Sequence, residues 1–318
     1  MFKLDFPIAA NAKMINLKDP IYLSGSCFSD EIGELFVRSK FNTLSNPFGT
    51  IYNPHSIFNT LTANIRKEDV IENNGVFYHW STHGEVSGLS KEEVVNKLME
   101  RLDKSQGHLA KSKWLIITFG TSWVYRYNKT NEVVANCHKI PNTSFDKELL
   151  PTDTIVEKFL QAKKALDQFN PEINIILTVS PVRHAKDGLA ENNRSKAQLI
   201  EAAHQITAQF DRVSYFPSYE IVIDELRDYR FFKEDMVHPS SQAINYVWKR
   251  FADTYFDEET SQFMEDWNKV LSALNHTPLL ATSTQHQKFL QATLKNLERL
   301  NDMVDVSVEI KQIKTQLT

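Results

Sequence analysis

Short apolar segments, each separated from the next by a helical pattern, constrain the fold of this chain most. Residues 114–119 (WLIITF) and 173–179 (INIILTV) are the clearest, and a further segment begins at residue 21. Strands that are apolar on both faces are typical of a parallel sheet with helices packed on each side. The sequence therefore predicts a three-layer α/β/α sandwich with a mainly parallel sheet.

Much of the remaining chain is predicted to be helical. Apolar residues recur at helical spacing in six stretches, 29–36, 54–67, 91–102, 154–169, 193–210 and 243–256. A hairpin is predicted from residues 123–127 and 132–135, and a short strand from residues 213–216. Residues 41–49 are predicted to be a loop that ends in an Asn-Pro-Phe-Gly turn.

The C-terminal residues have a different composition, since they are polar and rich in Gln, Asn and Lys. Helices are predicted over residues 258–274 and 283–300. We therefore expect an α/β domain over residues 1–256 and a C-terminal helical extension over residues 257–318. Two roles are open for this extension. It could form a partner surface that joins copies of the chain into a homo-oligomer, or it could pack back on the core.

Composition excludes several classes of protein. The net charge is −4, so the basic surface expected of a nucleic-acid-binding protein is missing. A run of 18 apolar residues is also missing, and the N-terminus does not resemble a signal peptide, so neither a membrane partner nor secretion is expected. Two cysteines cannot form a disulfide framework. We expect a cytoplasmic protein with both thiols free.

Two distant segments contain the residue types of an acyl-transfer site. Residues 24–28 (SGSCF) connect a strand to a helix, where free N–H groups and the helix dipole favour an anionic nucleophile. Cys27 is the preferred nucleophile and Ser26 the alternative. Cys27 could also be an inert buried residue, as cysteines often are.

The second segment supplies a candidate base. Asp235 and His238 stand in an Asp-x-x-His spacing, which suits a general base and the carboxylate that orients it. His238 could instead cap the helix that follows it. The prediction of an enzyme depends on whether this segment meets Cys27 in space.

Other polar residues follow predicted strand ends, where ligands bind in parallel sheets. Arg183 and His184, helped by Arg194 and Lys196, could hold a carboxylate or phosphate, so we predict substrate binding there.

The predicted hairpin should also bring Cys137 and His138 back towards Gly120. They could bind substrate, form a redox pair with Cys27, join Cys27 and His238 around Zn²⁺, or anchor a loop. The spacing matches no standard zinc signature, so we predict no metal and no cofactor.

Four motifs in this order resemble the GSCFA family, which is similar to the SGNH (GDSL-like) hydrolases. They are residues 24–28 (SGSCF), 136–139 (NCHK), 191–196 (ENNRSK) and 235–240 (DMVHPS). The resemblance covers approximately residues 21–256. It implies a flavodoxin-like fold of the SGNH type and an esterase, deacylase or acyltransferase acting on a small-molecule or glycan acyl ester.

The SGNH pattern implies roles for individual residues. Its nucleophile falls on Cys27, and Asp235 and His238 match its Asp-x-x-His block. Three oxyanion positions fall on Gly49, Gly120 and Ser122.

This sequence departs from the SGNH pattern in two respects: cysteine replaces the serine nucleophile, and Ser122 replaces an asparagine that donates to the oxyanion. Loss of an oxyanion donor lowers the catalytic rate strongly, so the alternative function is a non-catalytic ligand-binding protein. A zinc protein or a thiol-redox protein is a third, weaker alternative.

Overall fold

The computed structural model describes residues 4 and 6–317. The strands are β1 (Ile21–Gly25), β2 (Thr43–Ser45), β3 (Val70–Asn73), β4 (Val76–His79), β5 (Ser87–Gly88), β6 (Trp114–Phe119), β7 (Trp123–Tyr127), β8 (Glu132–Val134), β9 (Phe145–Leu149), β10 (Asn174–Val179) and β11 (Val213–Phe216). Strands β11, β10, β6, β1 and β2 form a central sheet in that order, and all its pairings are parallel.

Helices cover both faces of this sheet, which confirms the predicted fold class. They are α1 (Cys27–Arg38), α2 (Pro54–Leu61), α3 (Lys91–Leu109), α4 (Thr152–Leu166), α5 (Leu189–Thr207), α6 (Ser218–Glu220), α7 (Ser241–Tyr255), α8 (Glu258–Leu274), α9 (Thr284–Leu300) and α10 (Ser307–Lys314). A π-helical turn, Ile221–Leu226, continues α6. The helices of the described chain are too short or too polar to cross a bilayer.

Successive residues of the central strands point to opposite faces, so one sheet contributes to two cores. Leu23 and Ile116 face a core shared with α1, α7 and the C-terminal helices. Their neighbours Tyr22 and Leu115 face a second core shared with α2, α3, α4 and α5. Burial on both faces explains why these strands lack a polar side.

The C-terminal helices pack back on the first core. Trp267 of α8 is buried and donates from Nε1 to the carbonyl of Arg38 at 2.8 Å. Lys40 pairs with Glu309 of α10 at 2.8 Å. Of the two roles considered for residues 257–318, packing on the core is therefore observed. The boundary after residue 256 and a homo-oligomer formed by these helices remain predictions.

Several strands lie where the sequence predicted none, and β2 and β9 are two of them. Residues 41–49 were predicted to be a loop, yet Thr43–Ser45 pairs with β1 as the edge of the central sheet. Phe145–Leu149 pairs with β7 and extends the predicted hairpin to three strands. Both strands are short and mostly polar, so pairing with a neighbour, rather than an apolar pattern of their own, defines them.

Gly25 determines how closely β1 approaches β6. Its φ is +153°, and a Cβ at this position would lie 2.3 Å from the carbonyl oxygen of Thr118. Only glycine allows this approach without displacing a strand. The chain then turns directly into α1, which begins at Cys27, two residues before the predicted start.

Candidate active site

One cavity at the carboxyl edge of the central sheet brings the two predicted motifs together. Its volume is about 650 Å³. The sequence-predicted residues that line it are Cys27, Cys137, Arg183, His184, Asp235 and His238. Strands β1, β6 and β10 all end near this cavity, as the parallel topology requires.

Cys27 is the first residue of α1 and is half-buried at the cavity wall. Burial raises the pKa of its thiol, and the nearby carboxylate of Asp30 raises it further. Hydrogen bonds from the backbone N–H groups of Cys27 and Phe28 act in the opposite direction without cancelling the rise. The thiol is therefore mostly protonated at neutral pH and needs a base to become a nucleophile.

Asp235 holds His238 in a defined orientation. Its Oδ2 lies 2.7 Å from His238 Nδ1, while its Oδ1 accepts the backbone N–H groups of Val237 and His238 at 2.9 Å each. These contacts, with the His238 backbone N–H contributing most, lower the pKa of Asp235 to about 2. With the Nδ1 proton donated to this carboxylate, the neutral ring has Nε2 as its proton acceptor.

Arg183 connects the end of β10 to the loop that contains His238. Its backbone N–H donates to the Val237 carbonyl at 3.3 Å, and its Nη1 donates to the Met236 carbonyl at 3.2 Å. The guanidinium lies over the Phe232 ring, 4.3 Å from the ring centroid. These contacts fix both the arginine and the histidine loop at one side of the cavity.

His184 lies beside Arg183 in the same wall. Its backbone N–H donates to Asn192 Oδ1 at 3.0 Å, and its ring meets the ring of Tyr52 edge-on. Burial lowers the pKa of His184 to about 4, so the ring is neutral at pH 7. It can exchange hydrogen bonds with a ligand but does not supply a positive charge.

Ser26 and the three predicted oxyanion residues do not line the cavity. Ser26 is buried, and its Oγ has no hydrogen-bond partner among the described atoms. The backbone N–H of Gly49 donates to the Asn46 carbonyl at 2.8 Å. Ser122 is buried against Ser195, whose Oγ accepts its backbone N–H at 2.8 Å. Of the two nucleophile candidates, Cys27 is thus the one at the cavity wall.

Gly120 does not line the cavity but contacts Tyr52, which does. Its backbone N–H donates to the Tyr52 carbonyl at 2.8 Å. A Cβ at Gly120 would lie 3.0 Å from that same carbonyl oxygen, so the glycine allows two strand-end loops to pack closely. This N–H is already engaged within the protein.

The predicted pair Cys137 and His138 separates in the structure. Cys137 lines the cavity, and burial raises the pKa of its thiol to about 11. His138 is buried away from the cavity, where it stacks on Tyr78 and contacts the His79 carbonyl through Nε2 at 2.9 Å. His138 therefore anchors a loop. In the described part of the chain, no three His, Cys, Asp or Glu side chains are grouped closely enough to hold a metal ion.

Arg194 and Lys196 do not form the anion clamp that the sequence suggested. Arg194 is exposed and pairs with Glu191 at 2.7 Å. Lys196 is fully buried, and its Nζ donates to the carbonyls of Gly120 and Ser180 at 2.6 and 2.7 Å. Burial lowers the pKa of Lys196 to about 7. This lysine ties the ends of β6 and β10 together.

Asn53 is a cavity residue that the sequence reasoning missed. It caps α2, where its Oδ1 accepts the backbone N–H of Ser56 at 2.9 Å. Its Nδ2 has no hydrogen-bond partner among the described residues, and the side chain lines the cavity. An Asn-Pro pair before a predicted helix is typical of a helix cap, but only the fold brings Asn53 to the same cavity as the other residues of the site.

Comparison with known proteins identifies two family models in this chain. The model of the GSCFA family matches residues 20–251, and the model of the GSCFA domain protein C-terminal domain matches residues 267–318. No functionally curated protein matches the sequence.

Among solved structures, an acetyl xylan esterase (Est2A) from the rumen bacterium Butyrivibrio proteoclasticus is similar. The two share 11% identity with a TM-score of 0.37, and the match covers 79% of this chain and 64% of that one. The match thus spans slightly less than two thirds of the esterase's length.

Proposed function

This chain belongs to the GSCFA family, and we propose that it is a hydrolase or acyltransferase that forms an acyl intermediate on Cys27. The observation that supports this most is the 2.7 Å contact between Asp235 Oδ2 and His238 Nδ1, at a cavity that Cys27 also lines. A nucleophile, a base and an orienting carboxylate are the minimum set for this chemistry. We also propose a reducing compartment such as the cytoplasm, which would keep both free cysteines reduced.

The first step is the transfer of the Cys27 proton to Nε2 of His238. The raised pKa of the thiol makes this base necessary at neutral pH. Asp235 stays ionised and stabilises the imidazolium that forms. The thiolate then attacks the acyl carbonyl carbon of the substrate, and the carbonyl oxygen becomes an oxyanion.

The oxyanion needs donors that face the cavity. The backbone N–H of Cys27, at the start of α1, is one candidate. The Nδ2 of Asn53 is a second, because its cap contact uses only Oδ1. We assign these donors in place of Gly49 and Ser122, whose N–H groups are engaged elsewhere.

The intermediate then collapses and the acyl group is released. The leaving alcohol takes its proton from His238 as the C–O bond breaks, which leaves a thioester on Cys27. Water, or an acceptor hydroxyl in a transferase, loses a proton to His238 and attacks this thioester. The acid or new ester departs, and the thiol regains its proton.

Mass spectrometry of the intact protein after exposure to 4-nitrophenyl acetate tests this proposal. We expect an added acetyl group that maps to the peptide containing Cys27, together with release of nitrophenol. The variants Cys27→Ala and Cys137→Ala form a matched pair, since both thiols line the cavity. Turnover that persists in Cys27→Ala at the unmodified rate would contradict the assignment.

A non-catalytic ligand-binding protein is the second candidate. The raised pKa of the Cys27 thiol and the absence of Gly49 and Ser122 from the cavity lining favour it. A panel of short acyl esters separates the two. If no ester acylates Cys27 while small ligands still stabilise the protein against heat, binding alone is the function.

A further inference from the structure

Positively charged side chains line the cavity that also contains the candidate nucleophile, Cys27. Their ion pairing indicates which charge a substrate should carry. Arg183 and Lys186 line the cavity on the segment that follows β10. Neither forms an ion pair with any described residue. The acidic residues of the lining, by contrast, each have a partner: Asp235 pairs with His238, and Asp187 pairs with Lys147. The cavity therefore has cationic groups without acidic partners, in a chain whose net charge is −4.

Arg183 is held in a fixed position, which a binding residue requires. Its guanidinium lies 4.3 Å from the ring centroid of Phe232 and 5.3 Å from that of Tyr229. One of its N–H groups donates to the Met236 carbonyl, and a guanidinium has five such donors. The remaining donors are available to a ligand in a planar arrangement that matches the two oxygens of a carboxylate or phosphate.

The acidic residues of a neighbouring cavity form no ion pair with Arg183 among the described residues. Arg183 also lines a smaller cavity, of about 340 Å³, together with Asp224 and Asp228. Asp228 is paired with Arg230 at 2.9 Å. Within the described chain, no carboxylate oxygen comes within ion-pair distance of the Arg183 guanidinium. Arg183 thus lines the main cavity without a carboxylate partner.

From this arrangement we infer that the cavity takes a substrate with a negatively charged group, a carboxylate or a phosphate, which Arg183 binds and Lys186 attracts. This inference rests on the proposed function, because it describes the ligand whose acyl carbon meets Cys27. Since Arg183 also holds the backbone of Met236 and Val237, the bound anion lies next to the loop of the candidate base.

Alkylation of Cys27 by a matched pair of reagents tests this inference without requiring turnover. Iodoacetate is an anion and iodoacetamide is its neutral analogue. Each forms one S–C bond with the thiolate and releases iodide. Peptide mapping counts modification at Cys27 separately from Cys137. Both reagents react with the same thiolate, so a change in its population alters both rates equally. The ratio of the iodoacetate rate to the iodoacetamide rate therefore reports the preference of the cavity for a negatively charged reagent.

We expect Arg183→Gln to lower the iodoacetate-to-iodoacetamide ratio about fivefold or more, as the loss of a partly screened charge requires. Lys186→Gln should lower it less, because this side chain is exposed. Arg194→Gln is the control, since Arg194 is an exposed arginine that pairs with Glu191 and does not line the cavity. An unchanged ratio in a folded Arg183→Gln protein would overturn the inference.

If Cys27 reacts with neither reagent, the binding of small anions tests the inference instead. Calorimetric titration with sodium succinate and with sodium phosphate should show binding that Arg183→Gln abolishes and Arg194→Gln retains. The stronger of the two ligands indicates whether the natural group is a carboxylate or a phosphate. Anion binding without any acylation by esters would refute the proposed function alone, whereas acylation without anion preference would refute this inference alone.

Discussion

The ammonium group of Lys196 donates to the carbonyl oxygen of Gly120 at 2.6 Å in a site closed to solvent. The same group reaches the carbonyl of Ser180 at 2.7 Å, so one side chain connects the ends of β6 and β10. Both loops that follow these strands contribute to the candidate active site. A buried lysine without a carboxylate partner is costly, and its effect on folding can be measured through pH.

Lys196→Met should change how stability depends on pH. The folded pKa of Lys196, about 7, lies below its ordinary value of 10.5, so between these values only the unfolded chain binds the proton. The free energy of unfolding of the native protein should therefore rise with pH in this window by up to about 1.4 kcal/mol per pH unit, relative to the variant. Urea unfolding at pH 7 and pH 9.5 measures the difference, and parallel curves for the two proteins would contradict it.

Asp235→Asn should lower kcat towards acyl esters by about 10³ or more, because the imidazole loses both its orientation and its counter-charge. Asp228→Asn is the control, since Asp228 also accepts a backbone N–H within its own loop but does not line the main cavity. Steady-state kinetics on both variants make the comparison. Because the pKa of Asp235 is about 2, its protonation should not limit activity above about pH 3.

Asp30→Asn should lower the pKa of the Cys27 thiol, because the Asp30 carboxylate opposes the charge of the thiolate. The asparagine can still accept the hydrogen bond that Asn46 Nδ2 donates to Asp30 Oδ1 at 2.6 Å. The rate of iodoacetamide alkylation at Cys27, followed from pH 6 to pH 10, gives the pKa. Glu34→Gln, on the same helix, should leave the profile in place. Matching profiles in the native protein and Asp30→Asn would refute this electrostatic contribution.

Two substitutions at Asn53 separate its structural role from its proposed role as an oxyanion donor. Asn53→Asp keeps an oxygen that accepts the Ser56 N–H but removes the Nδ2 donor. It should lower kcat by about 10² or more with little loss of stability. Asn53→Ala should lower kcat similarly and cost an additional ~1 kcal/mol of stability, because α2 loses its cap. Ester kinetics and urea unfolding give both quantities, and normal kcat in Asn53→Asp would exclude the donor role.

Trp267→Ala should destabilise the whole protein by about 3–5 kcal/mol, since a large side chain leaves a filled core. Trp267 is 1% exposed and belongs to the same core as α1 and α7. Urea unfolding followed by circular dichroism should show one transition at lower denaturant. Substitution of Trp123, which is only partly buried in the cavity wall, should cost less. A separate early transition confined to the C-terminal helices would show that they fold independently.

The elements best predicted from the sequence are those with a strong pattern of their own. The predicted strand over residues 114–119 and the predicted helix over residues 258–274 match β6 and α8 in full. In the predicted parallel topology, β1, β6 and β10 end at the same edge of the sheet. Cys27 and Arg183 follow two of these strand ends, so the topology predicts that they lie close together, and both line one cavity.

The residues that were misplaced depend on partners far along the chain. Ser122 is engaged by Ser195, and His138 contacts the carbonyl of His79, contacts that no local pattern specifies. Lys196 did leave a signal, because it shares an apolar helix face with Leu199 three positions later and with Ala203 seven positions later. A charged residue on such a face is buried and forms its hydrogen bonds within the protein, so it is not free to bind a ligand.

Helix α1 carries the sulfur of Cys27 in its first turn, and the carbonyl of its last residue, Arg38, receives the indole of Trp267. Twelve residues at about 1.5 Å each make a stiff rod of roughly 18 Å between these points. The thiol of Cys27 and the contact with the C-terminal helices thus lie at opposite ends of the same helix. A change that displaces the C-terminal helices from α1 would therefore also shift the helix that positions the Cys27 thiol.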